Sequence, residues 1–296
     1  MGRFDILNEI RRLDPERDHQ RIVHLSFGYE FPWDSTRALE IALYRTYCIP
    51  SISGLLDRTG EFYRDAQRRY DDTAILIAEM CEWGYESGRG KEALERINWA
   101  HGHYQITNDD FLYVLSTFIF EPIRWIDAFG WRKLCDQERR AYYFFWRGVG
   151  AGMRIRDIPP SYETFAAWAA DYEETHFRFA ETNQRIGSAT RNLFASWWPR
   201  VVAPMVHHAI YAVLDPPMLE AFGFPRPLPA ERALVRGALK LRGKLVRWLP
   251  SRKAPHFFTD SPNRSHPRGY EIANLGPPPL VAREDTGTRS RPSGKR

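Results

Sequence analysis

The chain is poor in cysteine and has no long apolar run, and each shortage excludes a class of protein. Its three cysteines, Cys48, Cys81 and Cys135, are widely spaced and form no CxxC pair, which argues against a disulfide scaffold and for a reducing compartment. The sequence has no stretch of about 18 apolar residues, the length that is needed to span a bilayer, and its densely charged N-terminus is unlike a signal peptide. We therefore expect a cytoplasmic protein without a transmembrane segment or a signal peptide.

Several motifs that identify common enzyme classes are also missing. The sequence contains no Walker loop, GxGxxG, GxSxG or HExxH pattern, so it gives no sign of nucleotide binding, a hydrolase nucleophile or a zincin site. The net charge of +5 comes from the C-terminal quarter, because residues 226–296 hold 16 basic against 5 acidic side chains. The remainder of the chain is acidic, which argues against nucleic acid as a partner.

The spacing of apolar residues predicts an all-α protein. We expect one large helical domain over residues 1–250, followed by an irregular basic tail, 251–296, that is rich in Pro, Gly and Arg and disordered after about residue 280. Residues 54–60 are expected to be a short connection or a broken helix. The predicted helices cover residues 37–48, 61–83, 91–104, 108–125 and beyond, 135–146, 162–183, 189–198, 205–214 and 231–249.

Two of these helices carry polar residues on the face that their apolar residues mark as buried. Arg69 and Thr73 interrupt the first face, and His101 interrupts the second. A buried guanidinium without a partner costs several kcal/mol, so an anion should lie nearby. A haem would meet both needs, with iron for the imidazole and propionates for the guanidinium. The two faces consist of Phe62, Ala66, Arg69, Thr73, Ile77 and Met80, and of Leu94, Ile97, His101 and Tyr104.

His101 is the leading candidate for a metal ligand, but it also has a structural interpretation. A lone histidine on an apolar helix face is more often a core residue than a ligand. His103 lies about 200° further round the helix, so the two histidines can approach one ion only if the helix ends at Gly102. His103 is therefore the less favoured ligand.

Arg69 and Thr73 have a structural alternative as well. Asp72 is close enough along the helix to neutralise Arg69, and Thr73 can bond back to the backbone of its own helix. Asp72 can instead pair with Arg68, which would leave Arg69 free for another anion. The sequence does not decide between these two pairings.

The sequence also offers a weak candidate for a second kind of metal site, a non-haem di-iron centre. Ferritin-like di-iron bundles need two ExxH motifs, whereas this chain has only one, from Glu173 to His176.

Residues 231–249 form a basic amphipathic helix of a kind that often rests on an anionic membrane surface. The alternative is a helix that docks on the protein itself and leaves its basic face in water.

Several motifs along the chain resemble those of a known family. They include Ser51–Ser53, Gly60–Phe62 and Arg69–Thr73 within the segment Arg45–Thr73, then Glu95–His103, Ile123–Ile126, Gly130–Trp131, Asp157–Pro159, Gly269–Ile272 and Leu275–Pro277. Together they cover most of residues 35–280. In these motifs the chain resembles the MpaB-like oxygenases, which belong to the superfamily of rubber oxygenase, the latex-clearing protein.

The resemblance implies a globin-like helical core around haem b. It places the proximal histidine at His101, with dioxygen bound on the opposite side of the iron, and it makes Arg69 and Thr73 cofactor-binding and catalytic residues. Rubber oxygenase has a lysine just before this threonine, whereas this chain has Asp72. The arrangement on the distal side of the haem therefore does not carry over.

The resemblance also implies the reaction class. It suggests a haem-dependent oxygenase that cleaves an apolar, alkene-containing, isoprenoid-like substrate to carbonyl products, with peripheral membrane contact through residues 231–249. Two alternatives stay open from the sequence, namely a non-catalytic helical scaffold or lipid-binding module, and a non-haem di-iron oxidase. The absorption spectrum of the purified protein would separate all three.

Overall fold

The computed structural model describes residues 2–289 and builds them from helices and loops, with no strand in that range. The all-α prediction is therefore confirmed. A π-helical turn, Leu25–Glu30, precedes the third α-helix. The α-helices are α1 Asp5–Ile10, α2 His19–His24, α3 Pro32–Thr46, α4 Pro50–Thr59, α5 Glu61–Arg64, α6 Ala66–Trp83, α7 Gly88–His101, α8 Asn108–Phe129, α9 Asp136–Gly152, α10 Tyr162–His176, α11 Glu181–Ser196, α12 Ala203–Val213, α13 Pro216–Phe222, α14 Pro229–Arg247 and α15 Pro278–Arg289.

Some helix boundaries differ from those that the sequence predicts. Asp65 divides the helix predicted over residues 61–83, because its backbone leaves the helical region and its carboxylate caps α6 by accepting a bond from the Arg68 amide at 3.2 Å. The helix predicted over residues 162–183 is likewise divided, between α10 and α11. Residues 54–60 were expected to be a short connection or a broken helix, and the structure has the second, since α4 includes residues 54–59 and is interrupted at Gly60 before α5 begins.

Helix α8 forms the centre of the molecule. It is buried along most of its length, from Leu112 to Phe129, and α3 packs beside it in the opposite direction. Near the start of α3, the indole of Trp125 donates a hydrogen bond to Asp34 at 3.3 Å. Because neighbouring helices cover α8 on several sides, its sequence pattern is almost continuously hydrophobic.

The pairing of α6 with α7 brings the two predicted polar faces together. Gly84 ends α6 with a φ of 79°, which glycine adopts without strain. Gly90 lies against this turn so closely that an added Cβ would come within 1.5 Å of the Gly84 carbonyl oxygen. The helices therefore fold back on each other, and the start of α6, with Arg69, lies beside the end of α7, with His101.

The chain beyond residue 250 packs against the helical body. Phe257, Ile272 and Leu275 are buried in the same core as α8. Helix α15 follows at Pro278–Arg289, where the sequence analysis expected disorder after about residue 280. Residues 290–296, on which the rest of that expectation falls, lie outside the described residues.

Helix α14 docks on the protein, but not through the face that carries its regularly spaced leucines, which we call the leucine face. Gly243 is buried against the Phe129 carbonyl oxygen, and Arg242 pairs with Asp34 at 2.7 Å. The opposite side carries exposed apolar residues that share one helical face, namely Leu234, Leu241, Leu245 and Trp248. Within the described part of the chain, no helix is long and apolar enough to cross a membrane.

Candidate functional site

A cavity of about 440 Å³ lies between α6, α7, α8 and the C-terminal segment. This volume falls in the range of small-molecule sites. The cavity opens towards the exposed residues Arg58, Asp65 and Gln105. Most of its lining is apolar, with Leu76, Met80, Val114, Phe118, Trp146 and Val149 among the buried and half-buried contributors.

His101 is the last residue of α7, and its side chain lines this cavity. Burial, with a smaller contribution from the charge of Arg69, lowers the pKa of His101 to about 4. The imidazole is therefore neutral at pH 7. Its ring packs edge-on against Phe111, with 5.3 Å between the centroids. Nδ1 is fully covered and has no hydrogen-bond partner among the described residues, an arrangement that costs about 1–3 kcal/mol.

Arg69 and Thr73 lie one turn apart on α6, and both line the cavity. Nη1 of Arg69 donates to Oγ1 of Thr73, and the same hydroxyl donates to the backbone carbonyl of Arg69 at 3.0 Å. The guanidinium lies over the ring of Phe62, at 5.8 Å from its centroid. Among the described residues, no carboxylate forms an ion pair with Arg69, so its charge faces the cavity uncompensated.

Asp72 resolves the pairing that the sequence left open. Its carboxylate faces Arg68, with 3.6 Å between Oδ2 and Nε, and not Arg69. Oδ1 bonds with Nε2 of His266 at 2.6 Å, and Oδ2 accepts from the Gly276 amide at 2.9 Å. Both oxygens of Asp72 are therefore occupied by the C-terminal segment.

His103 is not part of the cavity wall. Helix α7 ends at His101, as a shared site would require, but His103 is exposed and its Nδ1 bonds with the Trp99 carbonyl oxygen at 2.8 Å. The structure thus brings together His101, Arg69 and Thr73, and it leaves His103 outside.

The residues of the di-iron alternative have other partners. Glu173 accepts hydrogen bonds from Nε and Nη2 of Arg45 at 2.7 and 2.6 Å, and Asp215 lies 2.5 Å from Nη1 of the same guanidinium. His176 stacks on Tyr172 at 3.9 Å between centroids. In the part of the chain that the structure describes, no cluster of three or more His, Cys, Asp or Glu is arranged to hold a metal ion.

Some cavity residues were missed by the sequence analysis. Asp110 was not among the candidate residues, but it is buried at the cavity, where it accepts a hydrogen bond from Ser51 at 2.7 Å. Gly276, Pro277 and the following proline also line the cavity. No periodic pattern connects a segment near residue 276 with helices that begin near residue 66, so the sequence alone held no signal for this contact.

Comparison with known proteins gives a consistent set of matches. Residues 42–248 match the profile of the family described as ER-bound oxygenase mpaB/B'/Rubber oxygenase, catalytic domain. The ER-bound oxygenase mpaB' of Penicillium brevicompactum is 31% identical over 244 residues, which are 76% of this chain and 58% of that protein. The ER-bound oxygenase mpaB of Penicillium roqueforti (strain FM164) is 42% identical over 142 residues, 46% of this chain and 48% of that protein. The chain thus spans about half the length of these relatives.

Proposed function

The chain belongs to the family of ER-bound oxygenases mpaB/B' and rubber oxygenases, and we propose that it is a haem b oxygenase whose iron ligand is His101. The observation that carries this proposal is the neutral imidazole of His101, which lines a large apolar cavity and has a buried nitrogen without a hydrogen-bond partner. A neutral imidazole in that position is the form that ligates haem iron.

Arg69, Thr73 and the apolar walls of the cavity also fit a haem. The uncompensated guanidinium of Arg69 supplies the charge that a propionate needs, and Thr73 holds that guanidinium through the bond to Oγ1. The apolar walls exclude water and accept a flat hydrophobic ring. A bound haem would supply a redox-active iron for the reaction of dioxygen with the substrate.

The substrate in this proposal is an apolar, alkene-containing molecule of the isoprenoid type. The lining of the cavity favours such a chain, because most of its surface is apolar. Arg58 and Gln105 lie at the opening, where they are exposed. Here His101, Arg69 and Thr73 bind and orient the reacting groups, and the aliphatic wall positions the chain.

An absorption spectrum and a haem assay of the purified protein test the proposal. We expect a Soret band that is lost in His101→Ala and retained in His103→Ala, the matched control for an exposed histidine outside the cavity. A colourless, folded protein that cannot be reconstituted with haem would overturn the proposal in favour of a scaffold or lipid-binding module. Iron without a Soret band would favour a di-iron site.

Helix α14 supports a peripheral membrane contact as part of the same function. Its exposed leucine face lies beside basic residues such as Lys244 and Arg247, which are exposed too. Apolar residues flanked by basic ones suit the surface of an anionic bilayer. This contact would bring the protein to the place where apolar substrates concentrate.

A further inference from the structure

The segment 256–278, which we call the C-terminal strap, closes one side of the cavity. Its last residues, Gly276, Pro277 and Pro278, line the cavity together with residues of α6 and α7. The family profile ends at residue 248, so this wall comes from outside the matched region. The sequence motifs around residues 269–272 and 275–277 fall within the strap and have no role in the function proposed above.

Asp72 connects the strap to α6 at two points that are ten residues apart along the chain. Oδ1 bonds with Nε2 of His266 at 2.6 Å, and Oδ2 accepts the amide of Gly276 at 2.9 Å. Asp72 is buried, and hydrogen bonds to a buried carboxylate are stronger than those between neutral groups. One side chain therefore fixes both the middle of the strap and the residue at which it reaches the cavity.

Neighbouring residues hold the strap along the rest of its length. The further contacts are Ser265 amide to Asp71 at 2.8 Å, Tyr270 hydroxyl to Glu79 at 2.6 Å, Thr259 hydroxyl to Glu82 at 2.8 Å, and Arg96 Nε to the Leu275 carbonyl oxygen at 2.6 Å. Asp71, Asp72, Glu79 and Glu82 share one side of α6, and Arg69 and Thr73 lie on the adjacent side that lines the cavity. Asp72 lies where the two sides meet, because it binds the strap and also lines the cavity.

The end of the strap is also sterically constrained. Gly276 has a φ of 119°, a backbone conformation that residues with a side chain rarely adopt. Three prolines follow, at residues 277–279, and each has a fixed φ. Once Asp72 binds the Gly276 amide, the wall that these residues form has little freedom to move away from the cavity.

We propose that Asp72 is a positioning residue that holds the Gly276–Pro278 wall in place, and that this wall limits the size of the apolar molecule that the cavity admits. The proposal rests on the proposed function, in that the cavity is taken as the substrate site. It gives Asp72 a role that acts through the strap.

The test uses the full-length apoprotein, with hydrogen exchange of peptides covering residues 270–280 and with binding of dansyl-labelled undecanoic acid as an apolar probe. Asp72→Asn retains the size of the side chain but removes one of its two acceptor oxygens and the charge. We expect amide exchange in these peptides to become about tenfold faster and the probe to dissociate about tenfold faster. Asp171→Asn is the matched control, because Asp171 is exposed on α10 and lies outside both the cavity lining and the strap, and probe binding should stay as in the wild type.

A second pair of variants distinguishes loss of the Asp72 contact from a general loss of structure. His266→Phe removes the partner of Oδ1, whereas His266→Gln retains an N–H donor. We expect the first to accelerate exchange and probe release and the second to restore both, while circular dichroism shows a folded protein in each case. Probe binding that is unaffected by both Asp72→Asn and His266→Phe would overturn this inference alone. Failure of the wild-type protein to bind the probe would overturn it together with the assignment of the cavity as the substrate site.

Discussion

The charge of Arg69 acts on the imidazole of His101 across the cavity and helps to keep its pKa low. The two residues come from different helices, and the turn between α6 and α7 brings them to the same space. A positive charge beside a base disfavours its protonated form. The pair therefore keeps the histidine in the neutral form that binds a metal.

This relationship predicts the effect of removing the guanidinium. Arg69→Met should raise the pKa of His101 in the apoprotein, because the repulsive charge is gone while the burial remains. The measurement is the titration of the His101 Cε1 proton by NMR. Arg64→Met is the control, since Arg64 is exposed and pairs with Glu61. An unchanged titration in Arg69→Met would contradict the interaction.

The low pKa of His101 also predicts how the stability of the apoprotein depends on pH. The folded value, about 4, lies below the ordinary value of 6.5, so the unfolded chain binds a proton that the folded chain does not between these two values. Stability is therefore unaffected by this group above about pH 6.5 and falls as the pH is lowered towards 4, by at most about 3 kcal/mol.

Urea unfolding at several pH values across this range measures the loss. Because His24 also has a pKa lowered by burial, the wild-type curve alone does not isolate His101. The comparison with His101→Phe does, since that variant should lose less stability over the same pH range. Parallel curves for the two proteins would show that His101 does not titrate as its burial requires.

The sequence allowed the helical class and the three main cavity residues to be predicted for a clear reason. The helical spacing of apolar residues indicates which face of each helix is buried, and Arg69, Thr73 and His101 are polar residues on such faces. The break at Asp65 could not be predicted in this way, because the carboxylate that ends one helix and caps the next leaves no trace in apolar spacing.

Contacts between distant parts of the chain were beyond the same reasoning. The choice of Asp72 between Arg68 and Arg69 depended on the strap, whose His266 lies far away in the sequence. For α14, periodicity showed one apolar face but not which side would meet the protein. In the structure that face is exposed, and the helix docks through residues that include Gly243 and Arg242.

The buried guanidinium of Arg45 predicts a large change in stability. It is surrounded by the carboxylates of Glu121, Glu173 and Asp215. Arg45→Met would leave the first two, which are largely buried, with only the half-exposed Arg124 as a cation. We expect the free energy of unfolding to fall by about 3–5 kcal/mol in urea titrations. Arg21→Met, which removes an exposed pair with Glu9, should cost less than about 1 kcal/mol. Similar losses for both variants would contradict a structural role for this cluster.

The exposed face of α14 gives the last prediction, which concerns membrane binding. Leu241 and Leu245 are more than half exposed, at 57% and 60%, so replacing both with Asp removes apolar contact area without disturbing the core. We expect binding to vesicles of phosphatidylcholine and phosphatidylserine to weaken by at least about tenfold, because each leucine contributes up to about 2 kcal/mol on burial. The thermal unfolding midpoint should stay within a few degrees of the wild type.

Two comparisons separate membrane docking from a general effect of surface charge. Trp83→Asp changes an exposed apolar residue outside α14, at 57% exposure, and should leave vesicle binding unchanged. Lys244→Gln should weaken binding to the anionic vesicles but have little effect with phosphatidylcholine alone, because it removes only the electrostatic contribution. If the double aspartate variant bound anionic vesicles as well as the wild type, the leucine face would not be the part of the protein that contacts the membrane.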